Sequence, residues 1–226
     1  MRCCNKQPRR KGQERDRQRA GPRHTAEAER SRIARDLHDD LGTGLTEVIL
    51  LAGAGPGQAR DMKEIDERFR VIAEKARGLV SELDIIVWAI DPKRDSLQSF
   101  ADYLGSYAGE LLAASGIACR LGIPIECEAV VLSGTARHSM FRAIKEALNN
   151  VIRHASATQV ELRLTQSSGR IEIIVADNGR GFDGEAIRRG HGLANMRERL
   201  EALHGQCQIE SHPGKGTTVK CTMPLP

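Results

Sequence analysis

Five short stretches carry residue types whose spacing can do chemistry. In KEALNNVIRHA, Glu146 and Asn150 stand four apart, so a helix puts a carboxylate and a carboxamide on one face. Those oxygens are hard ligands suited to Mg2+ or to positioning water. Arg153 and His154 follow one turn on, donors able to meet phosphate. In ADNGRGF, Asp177 closes an apolar run and precedes Gly179 and Gly181. The acid can accept a hydrogen bond from an exocyclic amine such as that of adenine, and the glycines let backbone come close to a base or sugar. In RRGHGLANMRERL, Gly190 and Gly192 with Leu193 stand where a helix begins, and free N–H groups there hold anions. GKGTTV places Gly216 and Thr217 at a turn into a strand, with Thr217 in reach of a partner acid or water. The fifth stretch, RSRIARDLHDDLG, holds His38 followed by Asp39 and Asp40.

Taken singly, each of these is weak. Glu-x-x-x-Asn is common on solvated helices, and Asp-Asn-Gly is an ordinary turn. His38 has three readings: a solvated surface residue, a metal ligand or a nucleophile. No clustered histidines or Cys-x-x-Cys pair support a zinc site. A nucleophilic imidazole must share the proton on its other nitrogen, and Asp39 is the candidate base for that. Leu37 and Leu41 mark an apolar stripe, so His38 is turned about 100° from Leu37 toward its flank. Gly42, four residues on, leaves His38 uncovered, and Arg35 can help neutralise phosphate charge.

The elements that must position these residues fall into two grammars. From His24 to Ala52, Ile33, Leu37, Leu41, Leu45, Val48 and Ala52 recur at helical steps, and GAGPG then breaks the chain. Ile65, Phe69, Ile72, Ala76, Leu79, Leu83, Ile86 and Ile90 alternate steps of four and three, a heptad seam stopped by Pro92. Two such helices predict an antiparallel hairpin. A second copy is the natural cover for its stripes, giving a four-helix bundle across a homodimer. From Lys93 the pattern mixes helices with strands: a helix ended by Gly116, the strand IACRLGIP, a helix over 135–155, and the strands TQVELRLTQ and RIEIIVAD. A helix from Leu193 to His204 and the strands CQIES and TTVKCTMP complete it. Such grouping predicts an α+β two-layer sandwich.

Composition bounds the rest. The chain has 226 residues, 40% hydrophobic and 28% charged, as in a globular protein. Its net charge of +4 is uneven: residues 1–36 hold 12 Lys/Arg against 5 Asp/Glu. Residues 1–23, broken by Pro8, Gly12, Gly21 and Pro22, are expected to be a disordered basic leader. A solvated leader is favoured over a nucleic-acid arm, so no nucleic-acid partner is expected. No apolar run reaches the ~20 residues of a membrane span, and six scattered cysteines without a signal peptide suggest the cytoplasm. Membrane association through a missing upstream sensor or a partner stays open.

The order Glu-x-x-x-Asn, Asp-x-Gly-x-Gly, Gly-x-Gly-Leu, Gly-x-Gly-Thr is far more specific than any member. It resembles the nucleotide-binding boxes of the GHKL (Bergerat) ATP-binding fold. The resemblance implies that Asp177 reads adenine, Asn150 holds Mg2+, Gly190 and Gly192 close over the phosphates, and Thr217 supports Asp177. RIARDLHDDLG, IIVWAIDPKRDSL and NNVIRHASA resemble the NarX/DesK-like class of sensor histidine kinases over about residues 27–226. That implies a hairpin domain over 24–92 and an ATP-binding domain over 93–226. It further implies His38 phosphorylated from ATP, with Asp39 and Glu146 in the catalytic set, and transfer to an aspartate of a NarL-type response regulator. Thr43 stands where much of this class has the glutamine that positions water for phosphatase action, which puts that activity in doubt. The competing reading is a catalytically silent dimeric nucleotide-binding adapter.

Overall fold

The computed structural model describes residues 41–53, 62–183 and 191–225. His38, Asp39 and Gly190 lie outside the described residues, as do the leader and most of GAGPG. The chain divides into two units, Met1–Ile90 and Asp91–Pro226.

In the first unit residues 41–53 are helical (α1), and α2 runs over Met62–Ile90. Gly44 packs against the Leu79 side chain, and Lys75 pairs with Glu47. Position 44 meets 79 while 47 meets 75, so the two helices run antiparallel. Arg68–Glu64 at 2.7 Å and Arg70 with Glu67 and Glu74 at 2.6 and 2.7 Å are helical-spacing ion pairs on solvated positions. The heptad seam is covered unevenly. Ile65, Ile72 and Leu79 are partly covered, whereas Phe69 and Leu83, with Leu45 and Ile49 of α1, stay exposed. One hairpin leaves apolar surface on both helices. Among the described residues no helix is long and apolar enough to cross a membrane.

The second unit is a two-layer α+β sandwich. Its elements in order are α3 (Leu97–Ala114), β1 (Ala118–Gly122), α4 (Gly134–Asn150), a π-helical turn (Val151–Ala155), β2 (Gln159–Ser167), β3 (Arg170–Asp177), α5 (His191–Glu201), β4 (Gln206–Ser211) and β5 (Thr217–Pro224). The sheet order is β1-β2-β3-β5-β4. β1 and β2 are parallel and the other pairs antiparallel. Burial alternates along each long strand: Val160, Leu162 and Leu164 on β2, Ile171, Ile173 and Val175 on β3, Val219, Cys221 and Met223 on β5. That face takes α3, α4 and α5, and Phe100, Leu104, Met140, Phe141, Ile144 and Leu148 fill the layer between.

Local chemistry explains the boundaries. Ser96 and Ser133 cap α3 and α4, their hydroxyls accepting from Ser99 N at 3.1 Å and Ala136 N at 3.2 Å. Gly116 at φ +70° ends α3. The expected helix over 135–155 leaves α geometry at Val151, so Ile152, expected inward, is only half-buried. α5 begins at His191 and ends at Glu201, two to three residues before the expected Leu193 and His204. Patterning gave no hint of Arg137, which is 1% exposed near the start of α4. Its guanidinium pairs with Asp95 at 2.6 Å and donates to the Asp91 carbonyl at 3.3 Å. Asp95 in turn accepts from Leu132 N at 2.6 Å through its backbone, so this pair ties the entry of the unit to α4.

Removing the Asp95 carboxylate, itself 39% exposed, takes one ion-pair partner from the buried Arg137 guanidinium. Asp95→Ala is therefore expected to lower the unfolding free energy by about 1–3 kcal/mol. A urea titration of the full chain, with the transition of this unit shifted to a lower midpoint, checks it.

Candidate active site

The last turn of α4 brings Glu146 and Asn150 side by side, with Asn150 Nδ2 donating to Glu146 Oε1 at 3.3 Å. One of the two amide N–H donors is thereby used, and Asn150 Oδ1 with the second Glu146 oxygen are the oxygens that could ligate a cation. Gly192, early in α5, lies against the same carboxylate, and a β-carbon there would collide with Glu146 Oε1.

Beyond Asn150 the helix widens into the π-helical turn that carries Arg153 and His154. Such turns recur at functional sites because they re-aim side chains within a helix. The turn ends at Ser156, at φ 52° in the left-handed region. Its last carbonyl, Ala155 O, accepts from Arg180 N at 2.8 Å, docking the turn on the loop after β3.

Asp177 stands at the end of β3, half-buried. Its Oδ1 accepts from Gly179 N at 2.8 Å, and the backbone N–H of Thr217 also donates to the carboxylate. Burial pushes its carboxyl above the ordinary 3.8, and these two hydrogen bonds pull it back. Asn178 fastens the loop to β2: its Oδ1 accepts from Thr158 N and Gln159 N, both at 3.0 Å, and its Nδ2 donates to Thr158 Oγ1 at 2.9 Å.

The glycines serve this packing. Gly181 and Gly216 have φ of +59° and +80°. A β-carbon on Gly216 would strike the Asp177 carbonyl, one on Gly181 the His212 carbonyl, and one on Gly179 the Ala155 carbonyl. Sequence reasoning assigned the glycines after Asp177 to close approach of a base or sugar. For Gly179 and Gly181 the close approach is of backbone to backbone, to the Ala155 and His212 carbonyls.

These loops surround a cavity of about 440 Å3. Glu146, Asn150, Arg153, His154, Asp177, Gly181, Gly192, Leu193 and Thr217, all singled out in the sequence, line it. Gly179 and Gly216 lie behind its wall. Ala155, Arg180 and Phe182 also line it and were not singled out. Arg180 and Phe182 sit inside the ADNGRGF stretch, so the motif was read but these positions were passed over. Among the described residues no three His, Cys, Asp or Glu side chains cluster as a metal cage. Mg2+ is usually held by one or two protein oxygens together with substrate phosphates, a number that Asn150 and Glu146 could supply. A carboxylate at one end, two oxygen ligands on α4 and two basic side chains on the turn match an amine-bearing base, a cation and a polyphosphate.

Comparisons with known proteins identify the family and the fold. Residues 29–95 match the family described as histidine kinase, and residues 135–226 match the histidine kinase-, DNA gyrase B-, and HSP90-like ATPase family. The chain is 31% identical over 202 residues to the signal transduction histidine-protein kinase/phosphatase UhpB of Salmonella typhimurium, covering 88% of this chain and 39% of that protein. It is 32% identical to the sensor histidine kinase MctS of Rhizobium johnstonii, covering 88% of this chain and 44% of MctS. To the sensor histidine kinase YhcY of Bacillus subtilis it is 30% identical, covering 87% and 50%. The chain thus spans two-fifths to half the length of these relatives. In fold it is similar to the histidine kinase domain of the Erythrobacter litoralis EL346 blue-light activated kinase, with TM-score 0.54 at 18% identity, covering 83% of this chain and 96% of that one. The Acinetobacter baumannii histidine kinase AdeS gives TM-score 0.53 at 16% identity, covering 83% and 98%.

Gly216→Ala combines a left-handed backbone with a collision against the Asp177 carbonyl. It is expected to cost about 2–4 kcal/mol, more than the left-handed conformation alone. Thermal unfolding checks this, with Gly214→Ala as control: φ is +76° there, but open space surrounds the added carbon.

Proposed function

The chain belongs to the sensor histidine kinases, with a histidine kinase segment followed by a GHKL-type ATPase domain, and we propose from that premise that it is an ATP-dependent protein-histidine kinase phosphorylating its own His38. One observation carries the reading: Glu146, Asn150, Asp177 and Thr217, from three separate segments, line one cavity.

The roles follow from the chemistry of each group. Asp177, held by the Gly179 and Thr217 N–H groups, accepts from the exocyclic amine of adenine. Asn150 Oδ1 would hold Mg2+, which when bound would neutralise charge on the phosphates, and Glu146 beside it belongs to the catalytic set. Arg153 and His154 donate to phosphate oxygens, and Gly190, Gly192 and Leu193 close over them at the start of α5. At His38 a ring nitrogen forms a bond to the γ-phosphorus as the bond to the β–γ bridging oxygen breaks and ADP leaves. Asp39 takes the hydrogen bond of the other ring nitrogen and fixes the tautomer. The phosphoryl group then passes to an aspartate of a response regulator of the NarL type, in the cytoplasm.

The exposed Leu45, Ile49, Phe69 and Leu83 support a homodimer. A second hairpin covering them completes a four-helix bundle, the arrangement that sustained heptads favour.

Full-length protein given Mg2+ and γ-labelled ATP is expected to gain acid-labile, base-stable label. His38→Gln and Asp177→Asn should each abolish it. Label retained in His38→Gln refutes the assignment, and nucleotide binding with no label in the wild type favours the silent adapter. The raised carboxyl of Asp177 also sets a pH dependence. A folded-state value above the unfolded one means that protonation of Asp177 favours the folded chain, a contribution present below 3.8 and lost as pH rises through the raised value. Adenine recognition has the opposite sign because it needs the charged acceptor. Adenosine affinity, measured by calorimetry, is expected to fall with decreasing pH before the ordinary 3.8 is reached. The decline should be absent from whatever binding remains in Asp177→Asn.

A further inference from the structure

Ser211 is the last residue of β4, 7% exposed, and sits opposite Thr217 where the β4–β5 hairpin opens. Three groups surround its hydroxyl. Phe182 N donates to Ser211 Oγ at 2.9 Å, the Gly216 carbonyl lies at 3.2 Å, and Thr217 Oγ1 at 2.9 Å. A hydroxyl has one hydrogen to give and two positions to accept. A carbonyl only accepts, so the contact with Gly216 uses the Ser211 hydrogen. Phe182 N–H fills one accepting position. The contact with Thr217 is then completed by the Thr217 hydrogen entering the other. With its proton on Ser211, the hydroxyl of Thr217, a residue that lines the cavity, has only lone pairs to offer a ligand. Asp177 lines the same cavity, is tied to Thr217 N–H, and as a carboxylate also only accepts.

We propose that Ser211 is a positioning residue for base selectivity: by taking the Thr217 hydroxyl proton it makes the Asp177–Thr217 end of the cavity accept only, which admits a purine bearing a 6-amino group and refuses one bearing a 6-oxo group. This rests on the nucleotide reading above. A 6-oxo oxygen would bring an acceptor against acceptors and leave it unpaired in a partly desolvated site, where such mismatches discriminate strongly. Without Ser211 the Thr217 hydroxyl can rotate and offer its hydrogen to that oxygen. A purely structural tie would behave differently, since loosening the hairpin weakens every purine alike.

The test measures dissociation constants of Mg-ATP and Mg-ITP on the full chain by titration calorimetry; ITP carries a 6-oxo group in place of the 6-amino group and a hydrogen on N1. The wild type is expected to prefer ATP by about ten-fold or more. Ser211→Ala should cut that preference several-fold, chiefly by gaining ITP affinity, and Ser211→Thr, which keeps a hydroxyl, should restore it. Thr217→Val should flatten the preference too, and Ser211→Ala added to it should change the ratio no further. If Ser211→Ala does not fold, Ser211→Cys, of similar size but a weak acceptor, reads the same ratio. Equal weakening of both nucleotides, or an unchanged ratio in the Ser211 variants, overturns the proposal while leaving the nucleotide reading intact. A wild type that binds neither nucleotide overturns both.

Discussion

A half-buried carboxylate, Asp177, is the constraint around which the second unit is arranged. Burial alone disfavours its charge, and two backbone N–H groups, from Gly179 and Thr217, offset part of that penalty. Those donors come from opposite sides of the site, one just after β3 and one at the start of β5. To deliver both, the backbone at Gly216 must lie against the Asp177 carbonyl and the loop after β3 against Ala155 and His212. The positive-φ glycines are thus the condition for supplying two donors to one acid.

Helix α4 links that arrangement to the rest of the unit. Near its N-terminus, buried Arg137 pairs with Asp95 and so fixes the helix against the entry to α3. Its middle, with Met140, Phe141, Ile144 and Leu148, fills the layer over the sheet. At its C-terminus, Glu146 and Asn150 face the cavity, and the change to a π-helical turn presents Arg153 and His154 beside them. One element therefore serves as anchor, core and cavity wall in turn. The first unit is built on another principle, an antiparallel hairpin whose Gly44–Leu79 and Lys75–Glu47 contacts set its register. Its remaining exposed apolar residues lie on both helices.

Much of this was legible in the chain because it rests on local pattern. Strands β2, β3 and β5 alternate with period two, so their buried faces could be read directly, and the heptad spacing identified α2. The cavity residues were legible for another reason. Four motifs, each weak, stood in an order that a single fold accounts for, and Glu146, Asn150, Asp177 and Thr217 followed from it. Asn178, Arg180 and Phe182 were missed although they lie in the same loop, since a turn sequence shows which residues bend the chain and not which way each points. Arg137 was missed because a charged residue reads as surface until its partner is known, and Asp95 lies 42 positions away.

The sequence by itself determined the elements, the two-unit organisation and the kind of chemistry, since propensity, periodicity and motif order act over short stretches. It also marked His38 and Asp39 as candidates for a nucleophile and its base, once the nucleotide motifs downstream were read with them. Tertiary structure alone decided that a glycine needed for flexibility would instead serve close backbone packing, and that Ser211, unremarkable in its strand, would touch Phe182, Gly216 and Thr217 at once. The reason is that hydrogen bonds between separate loops depend on where each backbone ends up. A hydroxyl's direction depends on all its partners together, and no stretch of the chain contains them all.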